Sequence, residues 1–201
     1  MGHMLRCRMC PGGAQEERKE LTRLRKVLGS RIYLDAFDTD IAYDFHECVR
    51  DIIDTEIVQR LAYCPQHVNV NRLEHSLGVA YYSFIISRRL GLDSRSAARG
   101  GLLHDLFFYD RTQVSLPGPH CSVHPRQALE NAEELCRLTA LERDIIANHM
   151  WPMHGFPRSQ ESLLVSFVDK MCAAFEFTAY LWTTVWKGVR NGSLRLARAF
   201  S

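Results

Sequence analysis

The chain has 201 residues, 46% of them hydrophobic, which is enough for one globular domain with a sizeable buried core. Its 25 basic and 23 acidic residues leave a formal net charge of +2, so no basic surplus argues for a nucleic-acid polymer as partner, and any phosphate must be met locally. No apolar run reaches the roughly 18 residues of a membrane span and no leader-like apolar stretch opens the chain, so the expectation is a soluble, cytoplasmic protein without a membrane partner.

Residues 1–30 combine Gly12-Gly13 with a charged run over 15–26 and read as a tail or solvated helix. Residues 31–201 read as a single domain with its core at about 65–180. Seven cysteines form no even framework, so reduced thiols are expected, and the CxxC of Cys7 and Cys10 lacks a second CxxC to complete a zinc site. From 40 to 64, Ile41, Phe45, Val49, Ile52, Ile53, Ile57, Val58 and Leu61 recur at steps of three and four. That is the period of one amphipathic helix, with Asp40 as N-cap and Pro65 as stop. The stretch 67–71 then reads as a connection.

Residues 72–90 are apolar on nearly every face and end before Gly91, which predicts a central buried helix with a glycine C-cap. Asp93 or Ser94 caps a helix expected to run through Phe108. Along it Ala97, Gly100, Gly101 and His104 make a row of small residues. Glycine inside a helix costs about 1 kcal/mol against alanine, so two in succession imply that another helix packs closely there. Three prolines, Gly118 and two histidines between Asp110 and Pro125 predict an ordered loop over a site. Pro125 reads as the first residue of a helix through Arg137, and Thr139 as the cap of another to about Met150, closed by Trp151-Pro152. A second loop surrounds Gly155 and Pro157. Residues 162–198 are helical in pattern, as one helix or two divided near Gly188. No period-two strand exceeds 31–34, so the fold class is all-α.

The chemistry centres on His104-Asp105 at the end of the small-residue run. Adjacent side chains on a helix point about 100° apart, so at a helix end both can bend toward one point. Imidazole suits first-row transition metals, and a carboxylate adds charge and a bridging oxygen. His75 among Leu73, Leu77 and Val79, His124, His149, and Asp169 inside an apolar run supply further ligand types from other helices. An ionised aspartate in apolar company is expensive unless paired or bound to a metal.

The motifs Arg72-Leu73-Glu74-His75-Ser76-Leu77-Gly78-Val79-Ala80, Gly101-Leu102-Leu103-His104-Asp105, Asn148-His149 and Val168-Asp169-Lys170 resemble the HD-domain metal-dependent phosphohydrolase superfamily over roughly residues 65–180. The likeness is greatest to small stand-alone HD proteins. It implies an HD-domain helical bundle in which His75, His104, Asp105 and Asp169 hold one metal, while His124 and His149 add a second with Asp105 bridging. His120, four residues before His124, is an alternative ligand. The tandem histidines and Gly-Tyr-Pro signature of the cyclic dinucleotide subgroup are missing.

The resemblance implies two divalent transition-metal ions, iron or manganese first, with zinc, nickel, cobalt or magnesium also compatible. Two such ions bring about four positive charges and the aspartates return about two, a surplus that favours phosphate and acidifies a water for attack on phosphorus. Asp105, Asp110 and Lys170 are the candidate catalytic residues, with Asp110 placed to orient the attacking water or protonate the leaving group, and Arg72, Arg126 and Lys170 are candidates to contact substrate phosphates. His67, His120 and His154 are placed to enter the pocket from loops, and Trp151 and Phe156 to stack on a base. The expected activity is hydrolysis of a nucleotide, dinucleoside polyphosphate or related phosphate ester. The alternatives are an HD-type di-iron oxygenase and a non-catalytic nucleotide-binding regulator. Trp182, Val185 and Trp186 are a candidate homodimer contact.

Overall fold

Phe45, Val49, Ile52 and Ile53 share one face of the first helix, α1 (Thr39–Ile53), and all four are buried. In this computed structural model the described residues are 39–67, 70–109 and 115–199. The segment 1–30, Cys7 and Cys10, the stretch 31–34 and Asp110 lie outside them. The chain divides into units Met1–Asp44 and Phe45–Ser201, and the site described below lies in the second.

The apolar period continues to Leu61, yet the helix expected over 40–64 stops at Ile53. Thr55 has extended backbone at φ −67° and ψ 144°. Its hydroxyl donates to the Ile52 carbonyl at 2.6 Å, and Gln59 Nε2 donates to the Ile53 carbonyl at 2.8 Å. Side chains thus take the carbonyls that a further helical turn would have used. A short α2 (Glu56–Gln59) and a 3-10 turn (Arg60–Tyr63) follow, still burying Val58 and Leu61. Asp40 lies inside the first turn of α1 rather than capping it.

The connection expected at 67–71 is part of a small antiparallel hairpin, β1 (Pro65–His67) and β2 (Val70–Asn71), with Pro65 opposite Asn71. Arg72 N donates to the Cys64 carbonyl at 2.8 Å and closes its base. Asn71 also caps α3 (Arg72–Leu90), its side chain accepting from Glu74 N. This central helix is buried as its composition predicts, and Gly91 ends it at φ 70°, a left-handed conformation that favours glycine.

Helix α4 (Ser94–Leu103) is capped by Asp93 and ends five residues earlier than the sequence suggests, with His104 at its C-cap. Leu106 N donates to the Leu103 carbonyl and Phe107 N to that of Asp105, so the chain turns at the His-Asp pair instead of continuing to Phe108. The two glycines are close-approach positions, as expected. A Cβ on Gly101 would lie 2.9 Å from Ala80 Cα in α3, and one on Gly100 would lie 2.6 Å from Ile145 Cγ2. Gly101→Ala meets backbone that cannot rotate away, so its overpacking cost of about 1–3 kcal/mol should exceed the ~1 kcal/mol helix gain. Thermal unfolding of the variant should fall below wild type; an unchanged or higher Tm would contradict the contact.

Helix α5 (His120–Leu135) starts five residues before Pro125, correcting the expected helix start. Ser122 N, Val123 N and Ser122 Oγ all donate to the Pro119 carbonyl, which nucleates the first turn upstream of the proline. Pro125 then forgoes the N–H that would have reached the Cys121 carbonyl. Helix α6 (Ala140–Asn148) opens with a reciprocal capping box: Thr139 Oγ1 accepts from Glu142 N at 3.1 Å, and Glu142 Oε2 accepts from Thr139 N at 2.7 Å. Helix α7 (Gln160–Ala199) is one helix of 40 residues, without a break at Gly188.

Val79, Ala97, Ile145, Val165, Val168 and Cys172 join α3, α4, α6 and α7 in a single apolar cluster. Beside it Arg99 of α4 is buried, with Nε donating to Glu142 Oε1 at 2.7 Å and Nη1 to Asp51 Oδ1 at 2.5 Å and the Cys48 carbonyl at 3.3 Å. The class is all-α, with the two-stranded hairpin the one sheet among the described residues. No helix there is long and apolar enough to cross a membrane.

Candidate metal centre

Three histidines reach one buried point from three helix segments, each fixed in the same way. His104 Nδ1 lies 2.7 Å from the Gly101 carbonyl, His149 Nδ1 2.8 Å from that of Ile146, and His124 Nδ1 2.7 Å from that of His120. A carbonyl only accepts, so each Nδ1 carries a proton and, in the neutral imidazole, each Nε2 keeps its lone pair. His104 and His149 occupy the C-cap positions of α4 and α6, where no following turn needs those carbonyls.

The three Nε2 atoms turn toward Asp105. Its Oδ1 is 3.4 Å from His124 Nε2 and 3.6 Å from His149 Nε2, and its Oδ2 is 3.6 Å from His104 Nε2. His124 Nε2 and His149 Nε2, two lone-pair atoms, are 2.9 Å apart. His104 Nε2 and Asp105 Oδ1 are buried without a hydrogen-bond partner. Facing lone pairs and orphaned acceptors, sealed from water, are what a shared cation relieves, and imidazole nitrogen with carboxylate oxygen suits divalent first-row metals. The residues present therefore fit a metal.

Asp105 Oδ2 also accepts from Gln66 Nε2 of β1. Gln66 Oε1 in turn accepts from Arg72 Nε at 2.8 Å, while Arg72 Nη1 donates to the Phe107 carbonyl and the guanidinium lies 3.6 Å from the centroid of the Phe107 ring. Arg72, expected to meet substrate phosphate, is thus buried and braces the hairpin against the His-Asp turn.

On the other side, His75 of α3 has Nε2 3.0 Å from Asp169 Oδ1 and Nδ1 3.0 Å from Glu176 Oε1, both carboxylates on α7. Asp169 Oδ1 is 3.7 Å from His104 Nε2. Two groups result, His75 with His104 and Asp169, and His104 with Asp105 and His149, each with ligand atoms within 4.8 Å of one another.

Burial alone would depress the His75 imidazole, but the two carboxylates outweigh it and push its pKa up to about 10. Burial, reinforced by the neighbouring His104, pushes His149 down to about 3, so it is neutral and ligand-ready.

The remaining expected site residues are placed differently. Lys170 gives its ammonium to the His149 carbonyl at 2.8 Å and to the Ser166 carbonyl and hydroxyl at 2.9 and 3.0 Å, with Asp169 Oδ2 3.6 Å away. It holds the carbonyl end of α6 beside the cluster, helped by Ser166 Oγ at 2.6 Å from the same His149 carbonyl. Arg126 is not brought to the cluster: it is exposed and paired with Glu130 on its own helix at 3.1 Å. His120 stacks on His124 with ring centroids 4.4 Å apart and lies 3.0 Å from the Tyr109 hydroxyl, so it flanks His124 instead of replacing it. Trp151, His154 and Phe156 are exposed.

Two residues of the cluster were not anticipated. Glu176 carries the signal that marked Asp169, a charge among apolar neighbours, here Phe175 and Phe177. Gln66 lies in the hairpin, where no periodicity points to it.

The HD domain family model matches residues 72–174, half of the chain and the whole of the set His75, His104, Asp105, His124, His149 and Asp169. The chain belongs to the HD domain family, a superfamily of metal-dependent phosphohydrolases whose members bind divalent metals. Among curated proteins it is similar to ribonuclease Y of Thermotoga petrophila, 34% identical over 106 residues, 52% of this chain and 19% of that one. Ribonuclease Y of Clostridium novyi is 29% identical over 121 residues, 59% and 22% of the two chains, and that of Nitratiruptor sp. 32% over 106 residues, 52% and 18%. The chain thus spans about a fifth of the length of these relatives. No solved structure gives a significant match.

Proposed function

We propose that this protein hydrolyses a phosphate ester or anhydride of a small nucleotide-type substrate, such as a nucleotide or dinucleoside polyphosphate. His75, His104, Asp105, His124, His149 and Asp169 are the proposed ligands of two divalent ions, iron or manganese. The observation that carries this reading is the convergence of lone pairs from His104, His124 and His149 on the buried Asp105 carboxylate, every Nδ1 being spent on a backbone carbonyl. Bound there, the ions supply an acidified water and stabilise charge developing on phosphoryl oxygens.

The chain's own groups then set the geometry and the charge. Gln66 orients the Asp105 carboxylate and leaves Oδ1 to the imidazoles. Lys170 fixes the segment bearing His149 and offsets part of the charge of Asp169. Asp110 is proposed, as the nearest acidic residue following the pair in sequence, to serve the attacking water or the leaving group. The name of the relatives gives a second reading, cleavage of a phosphodiester in RNA, by the same chemistry on a larger substrate. The near-balanced charge of this chain supports the smaller one.

The test is anaerobic incubation of manganese- or iron-loaded protein with nucleotides, dinucleoside polyphosphates, simple phosphate esters and single-stranded RNA. Metal-dependent product from the small substrates without oxygen supports the proposal. Product from RNA alone selects the second reading, and silence without oxygen followed by iron-dependent, oxygen-consuming turnover once oxygen is admitted replaces both with an oxygenase.

A further inference from the structure

We infer that Glu176 is a positioning residue that makes the His75 side of the cluster its tighter metal position. The inference rests on the metal-binding reading above and goes beyond it. Three histidines of the cluster are oriented by neutral backbone carbonyls, but His75 is oriented by a carboxylate, with Nδ1 3.0 Å from Glu176 Oε1. A carboxylate behind a ligating imidazole raises the basicity of the far nitrogen, whereas a carbonyl mainly fixes the ring. The far nitrogen, His75 Nε2, faces Asp169, so this half of the cluster gathers two carboxylates around one imidazole.

The arrangement is built into one helix. Glu176 follows Asp169 by seven residues, about two turns, so both carboxylates lie on one face of α7, one at each nitrogen of His75. Glu176 Oε2 is buried and has no hydrogen-bond partner, and the side chain is only 14% exposed. A carboxylate so placed is costly unless positive charge lies close by, and its hydrogen bond is to His75. Glu176 also lies two residues beyond those matched by the family model, which end at 174. The opposite group, His104 with Asp105 and His149, has no such support: Asp105 is backed by the neutral amide of Gln66.

The test is titration of the full chain with manganese(II), following free ion by its paramagnetic resonance signal, for wild type, Glu176→Gln and Glu176→Leu. Wild type should take up manganese in two unequal steps. Glu176→Gln keeps an acceptor at Nδ1 and removes only the charge, and should weaken the tight step by about 10–100-fold while leaving the weak step within about threefold. Glu176→Leu should weaken the tight step at least as much, and the near-isosteric Gln variant decides if the Leu variant does not fold. A tight step unchanged in Glu176→Gln, equal weakening of both steps, or a single step in wild type would overturn the inference while leaving metal binding intact. No uptake by wild type would overturn the metal reading itself.

Discussion

Asp105→Ala should abolish metal-dependent hydrolysis, with a loss well beyond the roughly 10–100-fold typical of removing an outer partner of a metal ligand. Asp105 supplies the one carboxylate in the group with His104 and His149, and its Oδ1 is the atom on which His124 and His149 converge. Without it, neutral imidazoles face one another across a buried space, and nothing offsets the charge of a divalent ion there. Metal content per chain and steady-state hydrolysis check this together: bound metal should fall along with turnover. Activity within tenfold of wild type would remove Asp105 from the centre.

Arg99→Met should be the most destabilising single change outside the cluster. Arg99 joins α4 to Glu142 of α6 and Asp51 of α1, and Glu142 is buried with 2% exposure. Removing one partner of a buried pair leaves the other charge uncompensated and costs about 3–5 kcal/mol. For a chain of this size that lowers Tm by about 10 °C. Arg99→Met with Glu142→Gln should recover part of the loss, since no buried charge then remains. A shift of only a degree or two in Arg99→Met would show that Glu142 is solvated.

The same network sets an acid limit. Burial raises the Asp51 carboxyl, but the Arg99 hydrogen bond and charge hold it below its usual 3.8. A carboxyl lowered on folding contributes stability above its unfolded pKa and loses it as pH falls through the lower folded value. Wild type should therefore lose stability below about pH 4 more steeply than Arg99→Met.

The elements legible in the sequence were those with both period and punctuation. The segment 72–90 carries uniform apolar character and Gly91, and Thr139 with Glu142 is a capping box visible at three-residue spacing. Where only period was available the reading overran, as at Ile53, because Thr55 and Gln59 take terminal carbonyls through side chains. Pro125 misled in the opposite direction: its ring is tolerated inside the helix because the Pro119 carbonyl nucleates the turn before it.

In the site, His75 and Asp169 stand out as polar residues in apolar company, and the structure brings both to His104. Glu176 had the same signature but belonged to no motif. The arginines and Lys170 were least legible, since a cation's role depends on which carbonyls and carboxylates surround it in space. Arg72 and Lys170 are spent on the frame of the site, and Arg126 on its own helix.

Helix α7 acts as a ruler with two scales. Ser162, Ser166 and Lys170, spaced by four, grip the carbonyls of Asp144 and His149 on α6, while Asp169 and Glu176, spaced by seven, address His75 on α3. Both scales share one rigid rod, so the number of residues between them matters as much as their identity. A single residue inserted between Ser166 and Asp169 turns Asp169, Lys170 and Glu176 together by about 100° relative to Ser162 and Ser166, carrying both carboxylates off His75 and the ammonium off the His149 carbonyl. Among the described residues beyond Glu176, Thr178 and Thr183 donate to carbonyls of α7 itself, so a change of length there should leave the alignment of the site unchanged. Tolerance to insertion should therefore switch sharply within one continuous helix, at the last residue that addresses α3.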